Sequence, residues 1–251
     1  MEGVMMKRVV FLACLLASFG SPLHANPSAV ELLKRVDDYN NAPRDWEYAV
    51  DMVVKEASGE EKPRRMILYQ RGDSQRLIRF IAPADVKGMT ILMEDKGKIY
   101  IYLPTYKKIR RISVSNLKQT FLGSDFTFDD MNLTRFLDYY DPELIEETPQ
   151  EYILLLKRKP KAKGGDPAMK VWVLKEKPFV TRLEHLDEAG NVERIETREG
   201  FKVVQGREVQ TVIRMVTVKT GHETTQYVGD IKFDQGLPAS FFSRRNLVKR
   251  R

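Results

Sequence analysis

Turn chemistry sets the size of every element this chain can build. From Trp46 onward, short runs of alternating apolar and polar residues are cut by glycine, proline and asparagine at intervals too close for long helices. In residues 46–54, Trp46, Tyr48, Val50, Met52 and Val54 share one face while Glu47, Asp51 and Lys55 share the other, the period of a half-buried strand. Further strands are predicted at 64–71, 76–81, 89–93, 98–103 and 108–113, then at 152–158, 169–175, 179–187, 192–198, 201–204, 207–218 and 224–233. "KGGDP" at 163, "DEAGN" at 187, "QGR" at 205 and "KTGHE" at 219 supply hairpin turns. Evenly spaced strands joined this way give one large, curved antiparallel sheet rather than β/α units.

Two stretches break the rhythm. Pro27-Ser28 opens a predicted helix to Tyr39, with Val30, Leu33 and Val36 on one face and Leu32 beside it, stopped by Asn40, Asn41 and Pro43. Residues 114–145 are too apolar for a surface loop and too irregular for the sheet. Within them "FDDMNLTRFLDYY" reads as one short helix, with Asp129 or Asp130 at its N-terminus and Pro142 beyond its end. The expected fold is therefore mainly β (α+β): a half-open antiparallel β-barrel with an N-terminal helix and a helical lid over about 114–145.

The N-terminus predicts export. Lys7 and Arg8 precede an apolar run from Val9 to Phe19, too short to span a bilayer, followed by "LHA" with a cut expected after Ala25. Residues 1–25 are thus a signal peptide, and 26–251 a single domain. Cys14 lies inside the apolar run and leaves with it, so the mature chain relies on its core rather than on disulfides. Its length of about 226 residues suffices to bury roughly 70% of the unfolded surface. The expected compartment is the periplasm.

The formal charge of the whole chain is +7. An exported protein meets little nucleic acid, so an anionic lipid surface or an acidic partner is the better match. Lys107, Lys108, Arg110 and Arg111 in "LPTYKKIRRI" are the candidate docking residues for headgroups or a partner, with a charge-protected edge strand as the alternative. The terminal "RRNLVKRR" reads as a solvated basic tail.

Catalytic and metal chemistry are thinly supplied. His185 and His222 remain after cleavage, without a cysteine, a G-x-S-x-G, an H-E-x-x-H or a glycine-rich phosphate loop. No cofactor and no metal are expected. In "TFLGSDFTFDD" (120–130), Asp125, Asp129 and Asp130 are readable as metal ligands or an acid/base pair. They are equally readable as a turn clasp at Asp125 and a helix cap at Asp129 or Asp130, and the architectural reading is preferred. Phe121, Leu122, Phe126 and Phe128 are too many aromatic and aliphatic groups for a wet loop and must cover something. With Trp46, Tyr48, Met52, Met66, Met89 and Met93 they form the candidate lining and lid of an apolar cavity, where methionine adapts to irregular shapes.

"RFIAPADVKGMTIL" (79–92), "IYIYLPTYKKIRRI" (99–112) and "FLGSDFTFDDM" (121–131) together resemble the outer-membrane lipoprotein-sorting proteins of the LolA-like superfamily, in the branch with R-F-x-x-P, Y-x-P and G-S-D-F in that order. "TTQYVGDIKFDQGLPASFFSRRNL" (224–247) is similar to the final strands of the same family. The resemblance implies an open barrel with a helical lid and an apolar cavity for acyl chains of lipoproteins or another amphiphilic lipid. It implies a non-enzymatic carrier or chaperone in outer-membrane biogenesis, between an inner-membrane transporter as donor and an outer-membrane acceptor. A periplasmic lipid or lipoprotein sensor is the alternative, and a carboxylate-dependent lipid-modifying enzyme a more distant one.

Overall fold

Strand β1 (Asp45–Lys55) shows how the alternation is used: Val50, Met52 and Val54 point to one side and are buried, while Asp51 and Lys55 point away and are exposed. The computed structural model describes residues 27–94 and 97–249, so the expected signal peptide and its cut after Ala25 lie outside the described residues. On one side of β1 the chain runs through β2 (Glu61–Arg71), β3 (Gln75–Ala82), β4 (Thr90–Glu94), β5 (Lys98–Leu103) and β6 (Lys108–Ile112). It then crosses to the far edge and returns through β7 (Tyr140–Glu147), β8 (Glu151–Arg158), β9 (Ala168–Leu174), β10 (Val180–Leu186), β11 (Val192–Val204), β12 (Arg207–Thr217) and β13 (His222–Phe233).

The order across the sheet is β6-β5-β4-β3-β2-β1-β13-β12-β11-β10-β9-β8-β7, thirteen strands in one sheet. Every pairing is antiparallel, and β6 and β7 remain as free edges, so the sheet does not close. The protein is mainly β, as the turn spacing implies.

Helix α1 (Ala29–Asn40) begins with a capping box: the Glu31 amide donates to Ser28 Oγ at 3.2 Å, and the Ser28 amide donates to Glu31 Oε2 at 2.8 Å. Its buried side is Leu32, Leu33 and Val36, while Val30 is exposed. This corrects the expected face, because Leu32 rather than Val30 turns toward the sheet. These residues pack with Phe136, Tyr139, Leu154 and Val171 into the core beneath β7–β10. A second core lies beneath β1–β5 and takes in Met52, Met66, Met89, Met93, Phe121 and Phe128.

The crossing segment differs from the expected lid in three respects. The predicted single helix is two short ones, α2 (Phe128–Asn132) and α3 (Phe136–Tyr139), because Leu133 and Arg135 adopt extended backbone between them. Residues 140–147 are strand β7, not lid; Pro142 is tolerated there because an edge strand has amides without ladder partners. The expected cap at Asp129 or Asp130 is Thr127, whose hydroxyl accepts from the Asp130 amide at 3.1 Å, while Asp130 closes the box from the third helical position.

Two further expectations change. The separate strands at 192–198 and 201–204 are one strand, β11, with Gly200 lying against Thr211 and Val212 of β12. The basic tail keeps Arg244, Arg245 and Lys249 exposed, as expected of a solvated tail, but it is also docked through Leu247. Helix α4 (Arg244–Leu247) buries Leu247, with Phe241 and Phe242, against Leu77 and Leu92 on the outer face of the sheet. Arg79 donates to the Asn246 carbonyl at 3.2 Å, and the Arg244 guanidinium lies 5.3 Å from the Tyr100 ring centroid.

Candidate functional site

The segment 120–132 is built to lie on the inner face. Thr120 and Thr127 form an isolated antiparallel bridge, and the Phe121 amide donates to the Phe126 carbonyl at 2.8 Å. The turn between them places Leu122 at φ 51° and Gly123 at φ 75°, a conformation that suits glycine and strains leucine. Ser124 through Asp129 are all buried. Phe121 meets Phe80 at a centroid distance of 5.4 Å and Phe128 at 5.6 Å, which fixes the segment to the core beneath β1–β5.

Its polar side is held by the strands in the middle of the sheet. Asp125 is expected to clasp its own turn, but its carboxylate instead accepts from Thr224 Oγ1 at 2.7 Å, sits 2.8 Å from His222 Nδ1, and accepts from the Thr217 hydroxyl. The local turn is satisfied by the Ser124 amide on the Phe121 carbonyl, which frees Asp125 for partners far away in sequence. Asp129 accepts from the Gly165 amide, and burial pushes its carboxyl above the usual range against that bond. The "KGGDP" turn reaches this close because Gly164 and Gly165 carry no side chains; a Cβ at either would run into Asp129 or Tyr140.

Arg194 is the hub. Its guanidinium donates to both Asp130 oxygens, to Asp166 Oδ2 at 3.1 Å and to the Asp125 carbonyl at 3.0 Å. Burial lowers its pKa, but Asp130 and Asp166 outweigh that and raise it overall. Asp166 also bonds His185 Nδ1 at 2.7 Å. Ligand-type atoms of Asp130, Asp166 and His185 lie within 4.8 Å of one another, a spacing that would suit a metal. The Arg194 guanidinium lies between the Asp130 and Asp166 carboxylates, so the group forms a buried ion network.

Beside this network is a cavity of about 280 Å³, partly open to solvent, just below the ~300–1,000 Å³ of ligand pockets. Its wall draws on β1–β3 from one half of the sheet, β10–β13 from the other, and Phe126, Asp130 and Met131 from the crossing segment. Of the residues named from sequence, Trp46, Tyr48, Met66 and Phe126 lie on the wall. Met52, Met89, Met93, Phe121 and Phe128 are instead packed in the adjoining core, with Leu122 half-buried against it. Lys107, Lys108, Arg110 and Arg111 are all exposed on and before edge strand β6, away from the cavity wall.

Several polar wall residues were not singled out from sequence: Gln70, Arg76, Glu196 and Arg198. Arg76 was readable, since it shares the period-two face of Ile78 and Phe80 in "RLIRF". Arg194, Glu196 and Arg198 also occupy one face of β11, but an alternating charged face ordinarily reads as solvated. Here that face turns inward.

This open antiparallel sheet, with a crossing segment seated on its inner face beside a cavity, is a fold shared with several solved structures. The solved structures it resembles include a DUF1329 family protein from Desulfovibrio piger (23% identity, 87% of this chain and 97% of that one, TM-score 0.82). A candidate outer membrane lipoprotein-sorting protein domain from Vibrio parahaemolyticus matches with 23% identity over 86% of this chain and 97% of that one, TM-score 0.77. A LolA superfamily protein from Nitrosomonas europaea matches with 20% identity over 88% and 99%, TM-score 0.75. A family model described as an uncharacterized protein matches residues 72–249. The chain belongs to that family, with the LolA superfamily fold. No curated protein matches it in sequence.

Proposed function

We propose that the protein is a periplasmic, non-enzymatic carrier that takes the acyl chains of lipoproteins, or another amphiphilic lipid, toward the outer membrane. The observation that carries this reading is the cavity between the two halves of the sheet, walled by Trp46, Tyr48, Met66 and Leu68 and covered by Phe126 and Met131 of the crossing segment. In functional terms the sheet is a half-open barrel and residues 120–139 are its lid. Apolar wall residues that are only partly buried, Tyr48 and Leu68 among them, leave surface for which a hydrocarbon chain is a better partner than water.

The methionines and phenylalanines of the adjoining core are the adaptable part of this design. Met52, Met89 and Met93, with Phe121, Leu122 and Phe128, close on themselves when the cavity is empty and shift as a chain enters, a population change driven by the ligand. An inner-membrane transporter is the proposed donor and an outer-membrane protein the acceptor, with the basic edge at Lys107, Lys108, Arg110 and Arg111 as a docking surface. Among the described residues no helix is long and apolar enough to cross a membrane. The mature chain is proposed to begin at or near Asn26, which N-terminal sequencing of exported protein checks. Mass spectrometry of organic extracts from protein purified out of its native compartment tests the carrier reading directly. Co-purifying amphiphile is the expected result; a clean extract together with no binding of fluorescent lipid probes overturns it.

A further inference from the structure

The charges on the cavity wall do not balance. Its carboxylates are Asp130, Glu196 and Glu208, and each has a cation of its own: Arg194 for Asp130, Arg198 at 2.5 Å for Glu196, and Lys177 at 2.9 Å for Glu208. His185 is bonded to Asp166. That leaves Arg76. Its Nε donates to the Gln70 side-chain oxygen at 2.8 Å and one terminal nitrogen donates to the Met131 carbonyl at 2.5 Å, both neutral acceptors. Among the described residues no carboxylate pairs with it, and the charged side chain that acts on it is another arginine, Arg198. Burial draws its pKa down accordingly.

A half-buried guanidinium without a counterion is unfavourable, and an entering anion would gain both the Coulomb attraction and hydrogen bonds in a setting of lowered dielectric. The surroundings supply a second donor. Trp46, Gln70 and Arg76 are direct cross-strand neighbours on β1, β2 and β3, so their side chains share the inner face in one row. Trp46 Nε1 is buried with no hydrogen-bond partner. One row along, Tyr48, Leu68 and Ile78 are likewise aligned and apolar. A polar row with one unmatched positive charge thus adjoins an apolar row on the same wall.

We propose that the cavity selects a single-chain amphiphile with an anionic head, a carboxylate or a phosphate monoester, whose charge pairs with Arg76 while its chain lies along Tyr48, Leu68 and Ile78. This rests on the carrier reading and narrows it, since an uncharged acyl group would leave Arg76 unmatched. Met131 sits at the same guanidinium, so the head takes the place of, or shares a donor with, the lid carbonyl.

The test compares dodecanoate, dodecyl phosphate and dodecanol, equal in chain length, by isothermal titration against the wild-type protein and the variants Arg76→Met and Arg76→Lys. The expected result is that one or both anions bind at least about tenfold tighter than the alcohol, as for hydrogen bonds to a charged group. Whichever anion leads identifies the head as carboxylate or phosphate. Arg76→Met should abolish the preference while keeping alcohol binding, and Arg76→Lys should keep part of it. Equal binding of all three by the wild-type protein overturns the head-group proposal but leaves the carrier reading standing. Binding of none overturns both, and the wild-type comparison stands even if a variant fails to fold.

Discussion

The carboxylate of Asp125 and the imidazole of His222, 97 residues apart in sequence, meet at 2.8 Å through Nδ1. One belongs to the tip of the crossing segment and the other to the start of β13, so this contact fastens the lid to the centre of the sheet. Asp125 also takes the Thr224 hydroxyl at 2.7 Å and is 2% exposed, and the Arg194 guanidinium holds its carbonyl at 3.0 Å. The crossing segment is anchored at two points, by Asp125 on β12 and β13 and by Asp130 on Arg194 of β11. The cavity opens beside these anchors, with Phe126 between them in sequence.

Removing the first anchor should cost stability. Asp125→Ala strips the partners from buried Thr224 and from half-buried Thr217 and His222, and buried polar groups left unpaired cost about 1–3 kcal/mol. Urea denaturation should show a loss of about 2 kcal/mol, and amides of 120–132 should lose hydrogen-exchange protection. A loss under about 0.5 kcal/mol would mean that the apolar contacts of Phe121 and Phe128 hold the lid by themselves.

Phe126 and Asp129 separate lining from architecture. Phe126→Leu, which keeps an apolar side chain but changes the shape of the cavity wall, should alter lipid affinity or release severalfold. Asp129→Asn, which keeps a side-chain oxygen for the Gly165 amide, should change affinity little. Both variants are first shown folded by thermal melts. If Asp129→Asn or Asp125→Asn instead destroyed a hydrolytic activity while lipid binding persisted, the carboxylates would be catalytic and the carrier reading would fall.

Asp166 predicts one component of acid sensitivity. Burial pushes its carboxyl up, but the His185 bond, the His185 charge and Arg194 together pull it below the ordinary value. A folded-state pKa below the unfolded one contributes stability that is present above the unfolded value and lost as pH falls through the folded one. Wild-type stability should therefore contain a term that disappears as the pH drops below about 4, the ordinary aspartate range. Asp166→Asn removes that term, so the difference between the two proteins should be largest near neutrality and shrink in acid. A difference that is flat from pH 7 to pH 3 would exclude it.

The basic edge should act on association and not on folding. Reversing Lys107, Lys108, Arg110 and Arg111 to glutamate should weaken binding to anionic vesicles and flatten its salt dependence. Stability should stay within about 0.5 kcal/mol for each exposed site. Unchanged binding in vesicle sedimentation and in a transfer assay would make the charges a guard on the free edge of β6, against pairing with other strands.

Much of the fold was legible because strand alternation and turn residues are local. The face shared by Val50, Met52 and Val54, the hairpin glycines and the Ser28 cap follow from neighbours within a few positions. β7 was not legible: Tyr140–Glu147 is acidic, carries Pro142 and has one ladder partner, so its sequence lacks the signature of a paired inner strand. The split between α2 and α3 was hidden too. Asp37 on α1, itself 1% exposed, accepts the Phe136 and Leu137 amides at 2.8 and 2.9 Å and so starts a second helix from a distance of about a hundred residues.

The sequence by itself determined that this chain is a curled antiparallel sheet with one apolar interruption, since periodicity and turns are properties of short segments. Only the tertiary structure decided which residues form the site. Arg194, Glu196 and Arg198 look like a solvated face until β11 turns that face inward under the lid, and Arg76 is an ordinary strand arginine until its neighbours are known. Charge balance is a property of a closed volume: whether a guanidinium has a counterion depends on contacts between β3, β11 and the crossing segment, and no local pattern encodes that sum.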